Sequence, residues 1–154
     1  MTNKNDDLKY PVGPRIEVKG IPYIARMCDK IRSHAKGELH ADYHPNLGGG
    51  YDKWACEFLN VEYADLVAKV NEGLNDEAVL EWAVATGGER TDQERGWWIS
   101  YMQNRGFRDD LADILNQRKE ESGYADRTDI YSFFDYIDAD EGRISYLNFT
   151  YSRP

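Results

Sequence analysis

The feature that most constrains this chain is its punctuation. From Ile21 onward apolar residues recur at spacings of three and four in short blocks, and a glycine or asparagine closes most of them. Such a pattern specifies short amphipathic helices. Ile21, Ile24, Cys28, Ile31 and Ala35 trace one face of a first helix ending near Gly37. Trp54, Ala55, Phe58 and Leu59 point inward from a short piece over Asp52 to Leu59, and Leu66, Val67 and Val70 from another over Glu62 to Glu72. Asn75 is an N-cap with Asp76 and Glu77 in the first turn, where carboxylates favour the positive end of the helix dipole, and Gly87-Gly88 ends what Val79, Leu80, Ala83 and Val84 begin. Thr91 and Glu94 stand at capping-box spacing for a helix through Trp97, Trp98, Tyr101 and Met102 to Gly106. Asp109 or Asp110 caps a further helix, with Leu111, Ile114 and Leu115 inward and Gly123 after it. Thr128 opens a last one carrying Ile130, Phe133, Phe134 and Ile137.

These segments share no repeat period, so a solenoid is not expected. The expected fold is all-α: a compact irregular bundle of about six to seven short helices, with an extended N-terminal segment and a His/Gly-containing loop. The expected division is an N-terminal extension at 1–13, a helical domain at 14–143 and an aromatic tail at 144–154. Two stretches escape the helical pattern: residues 8–20, with Pro11, Gly13 and Pro14, and residues 38–51, with His40, His44 and Gly48-Gly49-Gly50. Loops of this kind are where chemistry most often sits.

Composition excludes several function classes. The net charge of -9 disfavours nucleic acid, whose phosphates are bound by lysine and arginine displacing counterions. No apolar run approaches the roughly 20 residues of a membrane span, and the first residues lack the apolar stretch of a leader, so a cytoplasmic protein is expected. In a reducing compartment Cys28 and Cys56 read as small buried hydrophobes. Gly48-Gly49-Gly50 lacks the lysine and hydroxyl of a phosphate loop, and no serine or cysteine sits in a nucleophile elbow. No cofactor is expected.

The candidate sites are few. In an extended segment His40, Asp42 and His44 would share one face and offer metal ligands, with Pro45 keeping His44 out of the helical region. The outer two histidines would stand about 13 Å apart at the backbone, so hydrogen-bonded or solvated histidines are the competing reading. Asp138, Asp140, Glu141 and Arg143 resemble the start of a calcium loop, but the spacing is one residue short and Asn148 stands where the bidentate glutamate belongs. A capped acidic turn closing the last helix is therefore expected. Arg26 and Lys30, four apart and flanked by Asp29 and Arg32, could present cations to a carboxylate or phosphate, or form a solvated face paired with internal acids. The unlike charges of these two segments lead us to expect Arg26, Lys30 or Arg32 near Asp138, Asp140 or Glu141.

Read in order, the segments Ile24–Lys30, Asp42–Gly48, Asn75–Glu77 with Leu80–Trp82, Asn104–Asp109, Arg118–Gly123 and Phe134–Arg143 resemble the bacterial domain of unknown function 5069 family, over roughly residues 14–143. The resemblance implies a small single-domain bacterial protein and carries no chemistry with it. It places an asparagine beside a tryptophan where this chain has Trp97-Trp98, so no role for that asparagine transfers.

Two functional readings compete. One is a non-catalytic binding or accessory protein with a protein partner, since the chain is acidic, rich in the aromatics that anchor interfaces, and lacks a catalytic set. The other is a small enzyme or metal-dependent protein using the His40 to Asn46 loop together with the first-helix charges and the C-terminal acidic turn.

Overall fold

A computed structural model describes residues 10–143. The chain is mostly helical. Seven α-helices run Ile24–Ala35 (α1), Tyr51–Leu59 (α2), Tyr63–Asn71 (α3), Asp76–Gly87 (α4), Asp92–Asn104 (α5), Ala112–Glu121 (α6) and Phe133–Asp140 (α7), with a 3-10 helix over Ala41–Asn46. A small antiparallel sheet, β1 (Glu17–Val18) and β2 (Ile21–Pro22), precedes them, with Val18 opposite Ile21. The described residues form two units, 10–99 and 100–143.

In the first unit α1 packs on α3 and α4, α2 packs on both of these as well, and β1 lies against α1 and α4. Ile24, Met27, Cys28, Ala55, Leu66, Val79 and Ala83 fill its core. The caps act as their residue types require: Asn75 accepts from the Ala78 amide at 2.9 Å, and Thr91 and Glu94 exchange both bonds of a capping box, at 3.1 and 2.7 Å. The α1 start differs from expectation. Ile21 and Pro22 belong to β2, and Tyr23 takes a left-handed conformation, φ 76°, that turns the chain into a helix starting at Ile24.

The second unit packs α6 against α7, with Met102, Leu115, Ile130 and Phe134 buried. Here the last helix starts later than Thr128. Ser132 is its cap, accepting from the Asp135 amide, while the Asp135 carboxylate returns to the amides of Ser132 and Tyr131 at 3.1 and 2.8 Å. That reciprocal box satisfies more orphan donors than a threonine four residues earlier, followed by Asp129 and Ile130 in non-helical backbone, could. Ile114, expected inward, is exposed, and Leu115 alone among the residues of α6 is fully buried.

Cys28 and Cys56 are free and buried, and desolvation pushes both thiols up to about 12. At pH 8 the thiolate fraction is then about one in ten thousand. Both are expected to resist an aromatic disulfide reagent in the native state and to react once the chain unfolds. Rapid labelling of the folded protein would contradict this environment.

Candidate functional site

Around the first helix, the candidate charges are answered within the chain. The Lys30 ammonium donates to the Asp52 carboxylate at 2.7 Å and to the Tyr23 hydroxyl at 3.0 Å, and Tyr23 donates to the same carboxylate at 2.6 Å. The second carboxylate oxygen accepts from the Gly48 amide at 3.0 Å. Lys30 is 5%, Tyr23 2% and Asp52 0% exposed. Burial first, and the Asp52 charge second, push the Tyr23 phenol well above its usual range, so it stays protonated and acts as a donor. Gly48 is held by its φ of 74° and by space, since a Cβ there would lie 2.8 Å from the Tyr63 ring. The triad thus ties α1, the glycine loop and α2 together.

Arg26 and Asp29 grip one residue of the N-terminal segment. The Arg26 guanidinium donates to the Val12 carbonyl at 3.0 Å, and Asp29 accepts from the Val12 amide at 2.9 Å. Arg26 also lies over the Tyr43 ring, 5.8 Å from its centroid. Arg32 donates to the Leu74 carbonyl at 3.1 Å and pairs with Asp76 at 2.7 Å, on the wall of an open groove of about 340 Å³. Arg26 and Lys30 are buried rather than solvated, while Lys30 pairs with an internal acid, Asp52, as the second reading of these charges expects.

The histidine loop is not extended. Residues 41–46 wind as a 3-10 helix, so His40, Asp42 and His44 do not alternate along one face. His40 caps that turn, its Nδ1 accepting from the Asp42 amide at 3.1 Å, with the Asp42 carboxylate 3.6 Å away. His44 donates through Nε2 to the Leu39 carbonyl at 3.0 Å, and its ring meets His34 edge-on, centroids 4.8 Å apart. Asn46 is exposed, and its carbonyl accepts from the Gly49 amide. Among the described residues no group of three or more histidine, cysteine or carboxylate side chains could hold a metal ion.

In the second unit, the C-terminal acidic turn closes α7. Arg143 pairs with Glu141 at 2.6 Å and with Asp138 at 3.4 Å, and its amide donates to the Asp138 carbonyl at 2.7 Å. Asp138 and Glu141 are buried and Asp140 half-buried. Asn148 lies outside the described residues. The first-helix cations belong to the first unit and these acids to the second.

Sequence reasoning did not single out the turn after α5. There Arg105 is buried, forked between Asp109 at 2.8 Å and Asp110 at 2.7 Å, with its guanidinium 4.8 Å from the Tyr101 ring centroid. The guanidinium bond holds the Asp110 carboxyl below its usual range. Asp109 also accepts from the Gly106 and Leu111 amides, both at 2.9 Å, which fastens the turn at three points. Phe107, 44% exposed, stands on this frame, with Tyr101 on α5 at 44% and Tyr131 just before α7 at 50% exposure; Phe107 and Tyr131 meet edge to face at 6.0 Å. Arg108 lies over Phe107 at 5.1 Å with a left-handed φ of 52°. Three aromatic rings held by the ion-paired turn, by α5 and by the α7 cap can anchor a partner with little loss of conformational entropy. The signal in the sequence was the run Asn104–Asp110, where Gly106 and paired aspartates surround two arginines and a phenylalanine.

Among the described residues no helix is long and apolar enough to cross a membrane. No curated protein matches the chain. The sequence model of one family, described as a domain of unknown function (DUF5069), matches residues 8–143, which carry the buried triad, the histidine turn and the aromatic turn alike, and the chain belongs to that family.

Proposed function

We propose that this is a non-catalytic binding or accessory protein of the bacterial cytoplasm, and that it docks a protein partner on the aromatic face of the turn after α5. The observation that supports this reading is the exposure of Phe107 on the turn fixed by the Arg105–Asp109–Asp110 fork, together with that of Tyr101 on α5 and of Tyr131, whose amide the α7 cap residue Asp135 holds. Tyrosine and arginine predominate among residues that carry binding energy at interfaces, and rigid rings lose little freedom on binding. The rival, an enzyme built on the His40 to Asn46 loop with first-helix charges and the C-terminal acidic turn, has less support. Lys30 is enclosed with Asp52, Arg26 is engaged by Val12, and His40 and His44 are engaged by backbone.

The test is in-cell cross-linking of the full chain, comparing the parent with the Phe107→Ala/Tyr131→Ala double variant. Loss of two anchors of about 2 kcal/mol each, about 4 kcal/mol together, would weaken binding of a specific partner by roughly 800-fold and abolish its recovery. Both rings are about half exposed, so the variant should lose some stability but remain cooperatively folded, and recovery is compared below both melting temperatures. A partner set unchanged by the double variant would refute this docking face.

A further inference from the structure

In the second unit, arginines come with carboxylates. Arg105 has Asp109 and Asp110, Arg118 has Glu121, Arg127 has Asp129 in a two-pronged pair, and Arg143 has Glu141 and Asp138. Arg108 is the exception: among the described residues no carboxylate lies within ion-pair distance of it. In a chain of net charge -9, acids are not scarce, so an arginine left without one stands out.

Its backbone is unusual as well. At φ 52° Arg108 occupies a left-handed conformation that a bulky side chain adopts only at an energetic penalty, and one that glycine would adopt freely. Such outliers concentrate at functional sites, where the conformation aims a side chain that another residue could not supply. Here it aims a guanidinium across the Phe107 ring, beside the Phe107–Tyr131 pair. Stacking orients the fork while leaving its N–H edge for a planar anion.

We infer that the partner presents an acidic segment, in which a carboxylate takes the fork of Arg108 and an adjacent apolar side chain packs against Phe107 and Tyr131. This rests on the docking reading above and adds the chemistry of its occupant. The complementarity is local: the chain as a whole repels acidic partners, so an exposed arginine with no carboxylate, set against apolar rings, selects a segment by register rather than by bulk charge.

The experiment titrates the isotopically labelled full chain with three acetylated, amidated eight-residue peptides that alternate leucine with glutamate, glutamine or lysine. The glutamate peptide is expected to shift the amides of Phe107, Arg108 and Tyr131 and to bind about tenfold more tightly than the glutamine peptide, with the lysine peptide weakest. Arg108→Gln should erase the glutamate preference while leaving glutamine-peptide binding unchanged. Arg108→Gly should erase it too while raising the melting temperature by about 3 °C, because it relieves the left-handed strain; the loss of binding then cannot be ascribed to unfolding. Equal affinity for the glutamate and lysine peptides, or an Arg108→Gln variant that keeps the preference, would overturn the acidic occupant and leave the docking face standing. Absence of shifts at Phe107 and Tyr131 with every peptide would overturn both.

Discussion

Replacing Gly87 with alanine is expected to destabilise the protein by about 3 kcal/mol or more, at the upper end of what overpacking does. A Cβ on Gly87 would lie 1.8 Å from the Leu59 carbonyl oxygen and 2.9 Å from that of Asn60. Both obstacles are backbone, so no rotamer change relieves them. The surrounding bonds depend on the same close approach. Asn60, in a left-handed conformation that ends α2, donates from its side chain to the Gly87 carbonyl at 3.1 Å, and Arg90 donates to the Phe58 carbonyl at 2.7 Å. Arg90 also covers the Phe58 ring, which stacks on Trp98 with centroids 4.4 Å apart. Moving the two helix ends apart by the ångström or more that a methyl demands would strain this whole junction. The contrasting substitution is Gly96→Ala, in the exposed interior of α5, where an added Cβ meets nothing within 4 Å. It should stabilise by about 0.5–1 kcal/mol through reduced freedom of the unfolded chain. Urea denaturation of both variants checks the pair, and a neutral Gly87→Ala would mean that the ends of α2 and α4 do not meet as described.

That contrast also separates what the sequence reveals from what it hides. Helix positions were legible because their determinants are local: Asn75, Thr91 and Glu94 bond within three residues of themselves, and Gly73 and Gly123 stand just beyond the helices they end. Gly87 was legible as a stop, but its closeness to Leu59 is a fact of packing between helices that no spacing in the chain records. The β1–β2 pair and the left-handed Tyr23 were missed because Ile21 sits in register with the apolar face of α1, so periodicity alone extended the helix backward. Of the two readings of the histidine segment, hydrogen-bonded histidines describe His40 and His44, while the extended face does not form. Alternation favours a strand only if the chain is extended, and here His40 caps a tight turn instead. On α1, the four-residue spacing of Arg26 and Lys30 suggested a shared solvent face, whereas their partners, Val12 and Asp52, lie 14 and 22 residues away in sequence. The aromatic turn was legible only as composition. Which of the chain's sixteen tyrosines and phenylalanines remain exposed is decided by burial elsewhere, as Phe134 at 0% and Phe107 at 44% illustrate.

The buried triad gives the second large expected effect. A lysine and an aspartate taken out of water together are tolerable when they face each other with further hydrogen bonds, and severe when one is removed. Lys30→Met should therefore destabilise by about 3 kcal/mol: the Asp52 charge stays buried, but Tyr23 and the Gly48 amide still donate to it. Asp52→Ala should do more, about 4–5 kcal/mol, because it strands an ammonium, a phenol and a backbone amide at once. The Lys30→Met/Asp52→Ala double variant is expected to lose clearly less than the sum of the two, since neither charge is then left without its partner. A double-mutant cycle by chemical denaturation measures that coupling. Additive losses would show that the 2.7 Å contact contributes nothing of its own, and the role of joining α1 to the glycine loop and α2 would pass to Tyr23 alone.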